Sequence, residues 1–366
     1  MFKKRTLFVV GAGASKEFDI PLGADLASLI AKKTSVKDTD WGHDPKMGDE
    51  DILSQLAFRD RERLHLFLNA AKIISSGIQF SHSIDDFLDN HSANEDVRIV
   101  GKIAIAKTIL EKERASKLWF SKSNIHNKMD VSRFEDTWLI KFVRLLGRNI
   151  QKEAIENIFD NVAFIVFNYD RCIEQCLYHA LQQLYDIKPR DAANLVSKLT
   201  IIHPYGKVGE LETEAAPNGV PFGGRHERLS EGYSEISNGI QTYTEQIKDK
   251  IQLAVLRSQM DEAEQIVFLG FAFHEQNLNL LKSKEKLDAK KVYGTAFGMS
   301  DSDVSLIQEQ LKGFFSFEDD EDDDPFLLTP RPFFSKEFSF EQEYLDIRND
   351  LTCAKFFDQY GRSLIG

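Results

Sequence analysis

The sequence predicts an α/β fold built around a parallel β-sheet. Short runs of consecutive apolar residues, the pattern of strands buried on both faces, recur along the chain with helical patterns between them. Polar residues and glycines stand directly after these runs. Because the carboxyl ends of parallel strands meet at one edge of a sheet, where ligands of such folds bind, we expect a single site at that edge.

The first strand is predicted over 6–10, and it leads directly into the turn Gly11-Ala12-Gly13-Ala14-Ser15. Glycine permits a sharp turn and a close approach to a ligand, and free N–H groups at the start of a following helix would face a phosphate. The predicted ligand is therefore a nucleotide or dinucleotide. A tight turn without any ligand is the alternative explanation of the two glycines.

The turn departs from the ordinary dinucleotide fingerprint in two places. Lys16 occupies the position of the third glycine. After a helix predicted over 24–33, the polar residues 34–50 offer neither a second strand nor the acidic residue that binds a ribose at its end. A standard dehydrogenase is therefore disfavoured.

Residues 45–158 are predicted to form a helical subdomain inserted after the first strand and helix. Ser83 starts one helix as its N-cap, with Asp86 three residues later as its partner. A capping role and a catalytic role both stay open for Asp85 and Asp86. Apolar residues at three- and four-residue spacing predict further helices over 51–77, 99–113 and 134–146.

Strand patterns return in the second half of the chain. The predicted strands cover 162–167, 199–202, 265–270 and, as the last of the sheet, 291–296, with helices over 172–185 and 245–262. The groups that follow the strands are Asn168-Tyr169-Asp170, His203 and Gly270. A loop rich in glycine and proline spans 207–224 and is a candidate lid over the site.

Four short motifs occur in the order in which the sirtuin-like superfamily has them. They are Gly11 to Ser15 followed by Ile20-Pro21, Asn168-Tyr169-Asp170, His203-Pro204-Tyr205-Gly206, and Gly270-Phe271-Ala272-Phe273 with Asn277. The segment Ser83-Ile84-Asp85-Asp86-Phe87-Leu88 also resembles one in the sirtuin-like NAD-cleaving domains of bacterial antiphage defence systems. The resemblance implies a Rossmann-like parallel sheet of the sirtuin type with a large helical insertion. The chain lacks the two Cys-x-x-Cys pairs of deacetylating sirtuins, so no zinc ribbon is expected.

The resemblance also implies roles for single residues. Asn168 and His203 are the expected catalytic residues, and Asp170 a supporting one. Imidazole titrates near neutrality and suits a proton acceptor, while an amide both donates and accepts without adding charge. A hydrogen-bonded structural role for His203 and a helix cap for Asp170 are the alternatives. The residues expected to bind NAD are Gly11, Ala12, Gly13, Ser15, Pro21, Tyr169, Gly206, Gly270, Phe271 and Asn277.

The expected activity is hydrolysis of NAD to nicotinamide and ADP-ribose. No channel for an acyl-lysine peptide is evident, which makes water the expected acceptor of the ADP-ribosyl group. Relatives of this kind are gated effectors that deplete NAD in antiphage defence (abortive infection), form homo-oligomers or pair with a HerA-type ATPase, and the resemblance implies the same here. The alternatives are a non-catalytic NAD or ADP-ribose-binding module and an ADP-ribosyl transferase.

The composition of the 366 residues limits which classes of protein the chain can belong to. Seven of the twelve net negative charges come from Glu318 to Asp324, which leaves −5 on the rest and no sign of a basic groove for nucleic acid. Three cysteines are too few for a disulfide framework, and no metal site is expected. No apolar run spans a bilayer, so a cytoplasmic protein without membrane contact is expected.

Two domains are predicted. A catalytic domain covers 1–315, and an acidic linker with an aromatic-rich C-terminal segment covers 316–366. For that segment, packing on the catalytic domain and docking on another subunit both stay open.

Overall fold

The computed structural model describes residues 2–37, 46–121, 128–224, 232–246, 249–282, 287–288, 290–316 and 345–366. Its centre is a sheet of six parallel strands in the order β3-β2-β1-β4-β5-β6. This is the order of Rossmann-like sheets, and it confirms the predicted α/β class. The strands are β1 (Thr6–Val10), β2 (Val162–Val166), β3 (Thr200–Ile202), β4 (Gln265–Leu269), β5 (Lys291–Thr295) and β6 (Leu345–Arg348).

The strand order reverses beside β1. Val10, the last residue of β1, pairs with Val166 of β2 on one side and with Leu269 of β4 on the other. All residues of these three strands are buried, which explains their continuous apolar character. In parallel sheets, the crevice outside the carboxyl ends of strands at such a reversal is where ligands bind.

Twelve helices of seven residues or more are described. They are α1 (Gly23–Thr34), α2 (Glu50–Arg59), α3 (Leu64–Gly77), α4 (Ile84–Asn90), α5 (Glu95–Ala115), α6 (Trp138–Leu146), α7 (Cys172–Tyr185), α8 (Pro189–Val196), α9 (Lys250–Glu262), α10 (Glu275–Leu281), α11 (Asp301–Lys312) and α12 (Cys353–Ile365). Shorter helical turns are Ala12–Ser15, Lys16–Phe18, Ile78–Phe80, Val131–Arg133, Lys152–Asn157, Gly232–Ile236, Ser237–Gly239 and Tyr243–Gln246. Outside the main sheet, Val36–Lys37 pairs with Lys46–Met47 and Leu287–Asp288 with Phe315–Ser316.

Polar side chains explain where several helices begin. The helix predicted over 51–77 is two helices, because the carboxylate of Asp60 accepts the N–H groups of Glu62 and Arg63 and starts a new turn before α3. The predicted N-cap of α4 is confirmed, since Ser83 Oγ accepts from the N–H of Asp86 at 3.1 Å. The helix predicted from Phe134 begins only at Trp138, whose N–H donates to Glu17 at 2.8 Å.

The residues of β1 face two different helical layers. Leu7 and Val9 belong to the apolar core formed with α1, α3 and α5, whereas Phe8 and Val10 belong to the core formed with α6, α7 and α12. This alternation is what a strand produces. The stretch between β1 and β2 therefore contributes helices to both faces of the sheet.

The strand predicted to be the last of the sheet is not the last one. β6 comes from the C-terminal segment and pairs in parallel with β5, and α12 then packs on α6. The Phe357 ring stacks on Trp138 with centroids 6.0 Å apart. The described end of the aromatic segment thus packs on the sheet domain, while the predicted acidic linker and the aromatic residues Phe326 to Tyr344 lie outside the described residues.

Across the described ranges, none of the helices combines the length and the apolar character that crossing a bilayer requires.

Candidate functional site

The turns that follow β1 and β4 are in direct backbone contact at the strand-order reversal. The N–H of Gly13 donates to the carbonyl of Gly270 at 2.9 Å. Gly270 has a φ of 55°, and a Cβ at this position would lie 2.1 Å from the Ala14 nitrogen. A Cβ on Gly13 would lie 2.8 Å from Gly270 Cα. The contact between the two turns therefore requires these glycines. The sequence had suggested the close approach of a ligand as the reason for glycine at these positions.

Two backbone N–H groups of the turn after β1 are hydrogen-bonded within the protein. Ala12–Ser15 is a single helical turn, followed by the 3₁₀ turn Lys16–Phe18. The N–H of Gly13 is used by Gly270, and that of Ala14 donates to Gly11 O at 3.0 Å. A phosphate at this turn would meet fewer free N–H groups than the sequence suggested.

Gly270→Ala is expected to lower the free energy of unfolding by about 3 kcal/mol or more, because it adds a backbone clash to left-handed strain. Gly298→Ala is the matched control, since Gly298 has a φ of 83° but no atom within 4 Å of an added Cβ. That control is expected to cost about 1 kcal/mol from left-handed strain alone. Urea denaturation of both variants measures the difference, and equal losses would rule out the contact between the two turns.

Asn168 joins the end of β2 to the turn after β1. Its side chain is buried, and Nδ2 donates to Gly11 O at 3.1 Å and to Ser15 Oγ at 2.9 Å. Its Oδ1 is buried and has no hydrogen-bond partner among the described residues. A buried acceptor without a partner is costly and marks a place where a ligand or water donor would be bound.

The ring of His203 is held at both nitrogens. Nδ1 lies 2.9 Å from the backbone carbonyl of Asn168, and Nε2 lies 3.2 Å from Glu174 Oε1. Both partners only accept, so each contact is a hydrogen bond only where the ring nitrogen concerned carries a proton. A proton acceptor needs a ring nitrogen without a proton, and the described geometry leaves neither nitrogen free for that role. The acceptor role of His203 stays a prediction, and its visible contribution is to fix Asn168.

Glu174 connects this histidine to Lys207. Its side chain is buried, and Oε1 also lies 3.2 Å from Lys207 Nζ. Burial alone would raise the pKa of Glu174, but the charge and hydrogen bond of His203 and the charge of Lys207 outweigh it and lower that pKa to about 2. Glu174 is therefore an ionised carboxylate behind the catalytic candidates.

Glu174→Gln is expected to lower the free energy of unfolding by about 3 kcal/mol at pH 7, the equivalent of lowering a pKa from 4.5 to about 2. Because the folded-state pKa is depressed, this stabilisation is complete above pH 4.5 and is lost as the pH falls towards 2. The two proteins should thus converge in stability on acidification, as followed by urea denaturation at several pH values.

Glu210→Gln is the matched control, since Glu210 pairs with the same Lys207 at 3.1 Å but its side chain is 76% exposed. We expect a loss below about 1 kcal/mol. A Glu174→Gln loss that stays constant between pH 7 and pH 3 would contradict the assignment of Glu174 as an ionised, paired carboxylate.

The other residues of the Asn168 motif face different partners. Asp170 Oδ1 accepts at 3.1 Å from the N–H of Cys172, the first residue of α7, whereas the N-cap residue of that helix is Arg171. The hydroxyl of Tyr169 donates to Asp85 Oδ1 at the start of α4. The motif therefore reaches the helical insertion through Tyr169.

The remaining predicted NAD-binding residues are only partly brought together. Tyr205 OH donates to Asn277 Oδ1 at 2.6 Å, which links the turn after β3 to α10. The Gly206 N–H donates to the carbonyl of His203 at 2.9 Å. Phe271 is buried, and its ring packs on Phe167 with centroids 5.1 Å apart. Ala12 and Pro21 are half-buried along the turn that follows β1.

The loop over 207–224, a candidate lid, is fastened to the protein interior. Arg171 and Glu113 form an ion pair 2.6 Å apart whose side chains are both fully buried. Arg171 Nη1 donates to the carbonyl of Val220 at 2.6 Å, and the N–H of Gly223 donates to Glu113 Oε2 at 2.9 Å. These contacts hold the end of the loop in place and do not favour its opening as a lid. A surface cavity of about 430 Å³ is lined by Glu210 and residues 215–220 of this loop and by none of the predicted site residues.

Sequence reasoning missed Glu174, Lys207 and the Arg171–Glu113 pair. Glu174 stands four residues after Asp170, on the first turn of a helix that was predicted correctly, and this position could have identified it as a site residue. The sequence contained no such signal for Glu113, because a glutamate near the end of a helix is ordinarily exposed.

Neither the cysteines nor the carboxylates of the described residues form a metal centre. Over the described ranges, no group of three or more His, Cys, Asp or Glu side chains is placed to hold a metal ion. Cys172 and Cys176 are buried as free thiols in the apolar core, and burial raises the pKa of Cys176 to about 12.

No protein-family model matches this chain, and the comparison with curated proteins finds no relative. The resemblance to sirtuin-like domains thus depends on the motifs and on where the fold places them.

Proposed function

We propose that this protein is an NAD glycohydrolase. The observation that carries the proposal is the environment of Asn168, at the strand-order reversal of a Rossmann-like sheet. Within the part of the chain that the structure describes, its buried Oδ1 has no partner, while its Nδ2 and backbone carbonyl are held by the turn after β1 and by His203. A rigid acceptor of this kind suits a ribose hydroxyl or a water molecule.

The proposed reaction uses water as the second substrate. The water oxygen forms a bond to C1′ of the ribose attached to nicotinamide, and the C1′–N bond breaks with its electron pair going to the nicotinamide ring. One proton is released. Asn168 orients the hydroxyl or the water, and His203 keeps Asn168 in position, with Glu174 as the partner of the second ring nitrogen.

The test is NAD consumption by the purified protein, followed as free nicotinamide and ADP-ribose in equimolar amounts. Accumulation of both products supports the proposal. NAD binding without product formation would contradict it, and failure to bind NAD would remove its basis altogether.

A specific observation favours a second candidate, a binding module without turnover. Both nitrogens of His203 already have partners and Asp170 accepts the first N–H of α7, so two of the three expected catalytic residues are engaged by the protein itself. Calorimetry with NAD and with ADP-ribose distinguishes this module from the hydrolase, since a module would bind both ligands and release no nicotinamide.

The cellular role stays a proposal that depends on the motif resemblance. It includes depletion of NAD in antiphage defence, a homo-oligomer and a HerA-type ATPase partner. Transfer of ADP-ribose to a macromolecule is the third activity to test, with labelled NAD and a search for a labelled acceptor in place of free ADP-ribose.

A further inference from the structure

Four side chains from different parts of the chain meet beside the Asn168 motif. Asp85 belongs to the first turn of α4, Tyr169 follows β2, Tyr205 follows β3, and Asn277 belongs to α10. The hydroxyl of Tyr169 donates to Asp85 and that of Tyr205 to Asn277. The carboxylate of Asp85, from the helical insertion, thus lies at the carboxyl edge of the sheet. The sequence pattern by itself predicts no acidic residue at the end of a second strand there.

Asp85 differs from the other titratable candidates in the kind of group that its side chain contacts. His203 uses both ring nitrogens within the protein, and Asp170 accepts the first N–H of α7. Glu174 contacts His203 and the Lys207 cation, both through Oε1. The partner of Asp85, in contrast, is a neutral hydroxyl, so the carboxylate retains basicity that a paired one loses.

The groups around Asp85 act on it in opposite directions. Burial raises the pKa of Asp85 to about 6. The hydrogen bond from Tyr169 and one from the backbone N–H of Asp85 itself oppose this rise, and the neighbouring charge of Asp86 adds to it. Tyr205 is also close to Asp85. Burial is the main cause that raises the pKa of Tyr205, and the charge of Asp85 adds to it. Beyond Asp86 lies His274. Burial and the charge of His82 lower the pKa of His274, and the charge of Asp86 opposes this change only in part.

We propose that Asp85 is the proton acceptor of NAD cleavage, an assignment that rests on the proposed glycohydrolase function. As the water oxygen bonds to C1′ and the C1′–N electron pair passes to nicotinamide, the carboxylate of Asp85 takes the proton of that water. Tyr169 positions the carboxylate, and Asn168, one residue away, positions the ribose or the water. No further oxidant, reductant or metal is needed for the balance.

The first test compares Asp85→Asn with the wild type at pH 7.5 by nicotinamide release and by calorimetric binding of NAD. We expect kcat to fall about 100-fold or more while the Kd for NAD changes less than about 5-fold. A kcat within about 5-fold of the wild type would overturn the assignment, as would loss of NAD binding instead of kcat, because Asp85 would then only hold the ligand. A wild type that binds NAD and releases no nicotinamide would refute the glycohydrolase itself.

The second test keeps Asp85 and shifts its proton affinity with variants on either side of it. The wild-type kcat/KM should fall on acidification through about pH 6. Tyr169→Phe removes a donor to the carboxylate and should move this acid limb upward by about one pH unit. Asp86→Asn removes a like charge and should move it downward. Identical acid limbs in all three proteins would overturn the assignment even if Asp85→Asn fails to fold.

Discussion

Asn168→Ala is expected to lower the kcat of NAD cleavage by about 100-fold or more, because it removes a buried amide acceptor that has no partner among the described residues and is available to a ligand. It also removes the two hydrogen bonds from Nδ2 to Gly11 and Ser15, which fix the turn after β1. Nicotinamide release at saturating NAD measures the loss, and circular dichroism checks that the fold is retained.

The matched control for this variant lies at the other end of the same strand. Asn161 precedes β2, and its Nδ2 donates to the backbone carbonyl of Phe2 at 2.9 Å. Asn161→Ala removes a comparable amide-to-backbone contact far from the carboxyl edge, so we expect kcat to stay within about 2-fold of the wild type. Equal losses in Asn161→Ala and Asn168→Ala would mean that the effect is structural and not catalytic.

His203→Ala adds a second expectation to the same experiment. If His203 mainly fixes Asn168, its removal should lower kcat less than Asn168→Ala does, and the double variant should be no worse than Asn168→Ala alone. If His203 is itself the proton acceptor, the acid limb of kcat/KM should vanish in His203→Ala and survive in Asp85→Asn. The two assignments are therefore separable by pH profile.

Arg171→Met is expected to cost about 3–5 kcal/mol of unfolding free energy, the largest stability effect that we expect from a single change in this chain. The variant leaves the carboxylate of Glu113 buried without its cation. The carbonyls of Val220 and Pro221 each lose the hydrogen bond from Arg171 and keep only a backbone donor, the N–H of Glu212 and of Gly224. Urea denaturation measures the loss. Faster proteolytic cleavage within 207–224 should accompany it, because Arg171 fastens that loop.

Arg5→Met is the control for removal of an arginine from an ion pair. Arg5 lies 2.5 Å from Glu262, but the two side chains are 40% and 45% exposed, so we expect a loss below about 1 kcal/mol. A similar small loss in Arg171→Met would show that the buried pair contributes little beyond its own desolvation. Protection of the loop from proteolysis in Arg171→Met would show that other contacts hold it.

The sequence alone predicted the elements whose signals are local. β1, β2 and β4 are continuous apolar runs because each strand is buried on both faces, and their ends could be placed within one residue. The helix Cys172–Tyr185 was predicted with its observed bounds. Since parallel strands share an edge, the sequence also predicted that Asn168, His203 and Gly270 lie at one edge of the sheet.

What only the tertiary structure decided depends on contacts between distant residues. β6 is a four-residue strand, and its place beside β5 follows from packing of the C-terminal segment on the sheet. The Arg171–Glu113 pair joins residues 58 positions apart, and the Tyr169–Asp85 contact joins residues 84 apart. Periodicity reports which face of an element is apolar, but burial and hydrogen-bond partners are set by the elements packed against it. For this reason the sequence could name the candidate residues, whereas the structure was needed to show that His203 and Asp170 are already engaged.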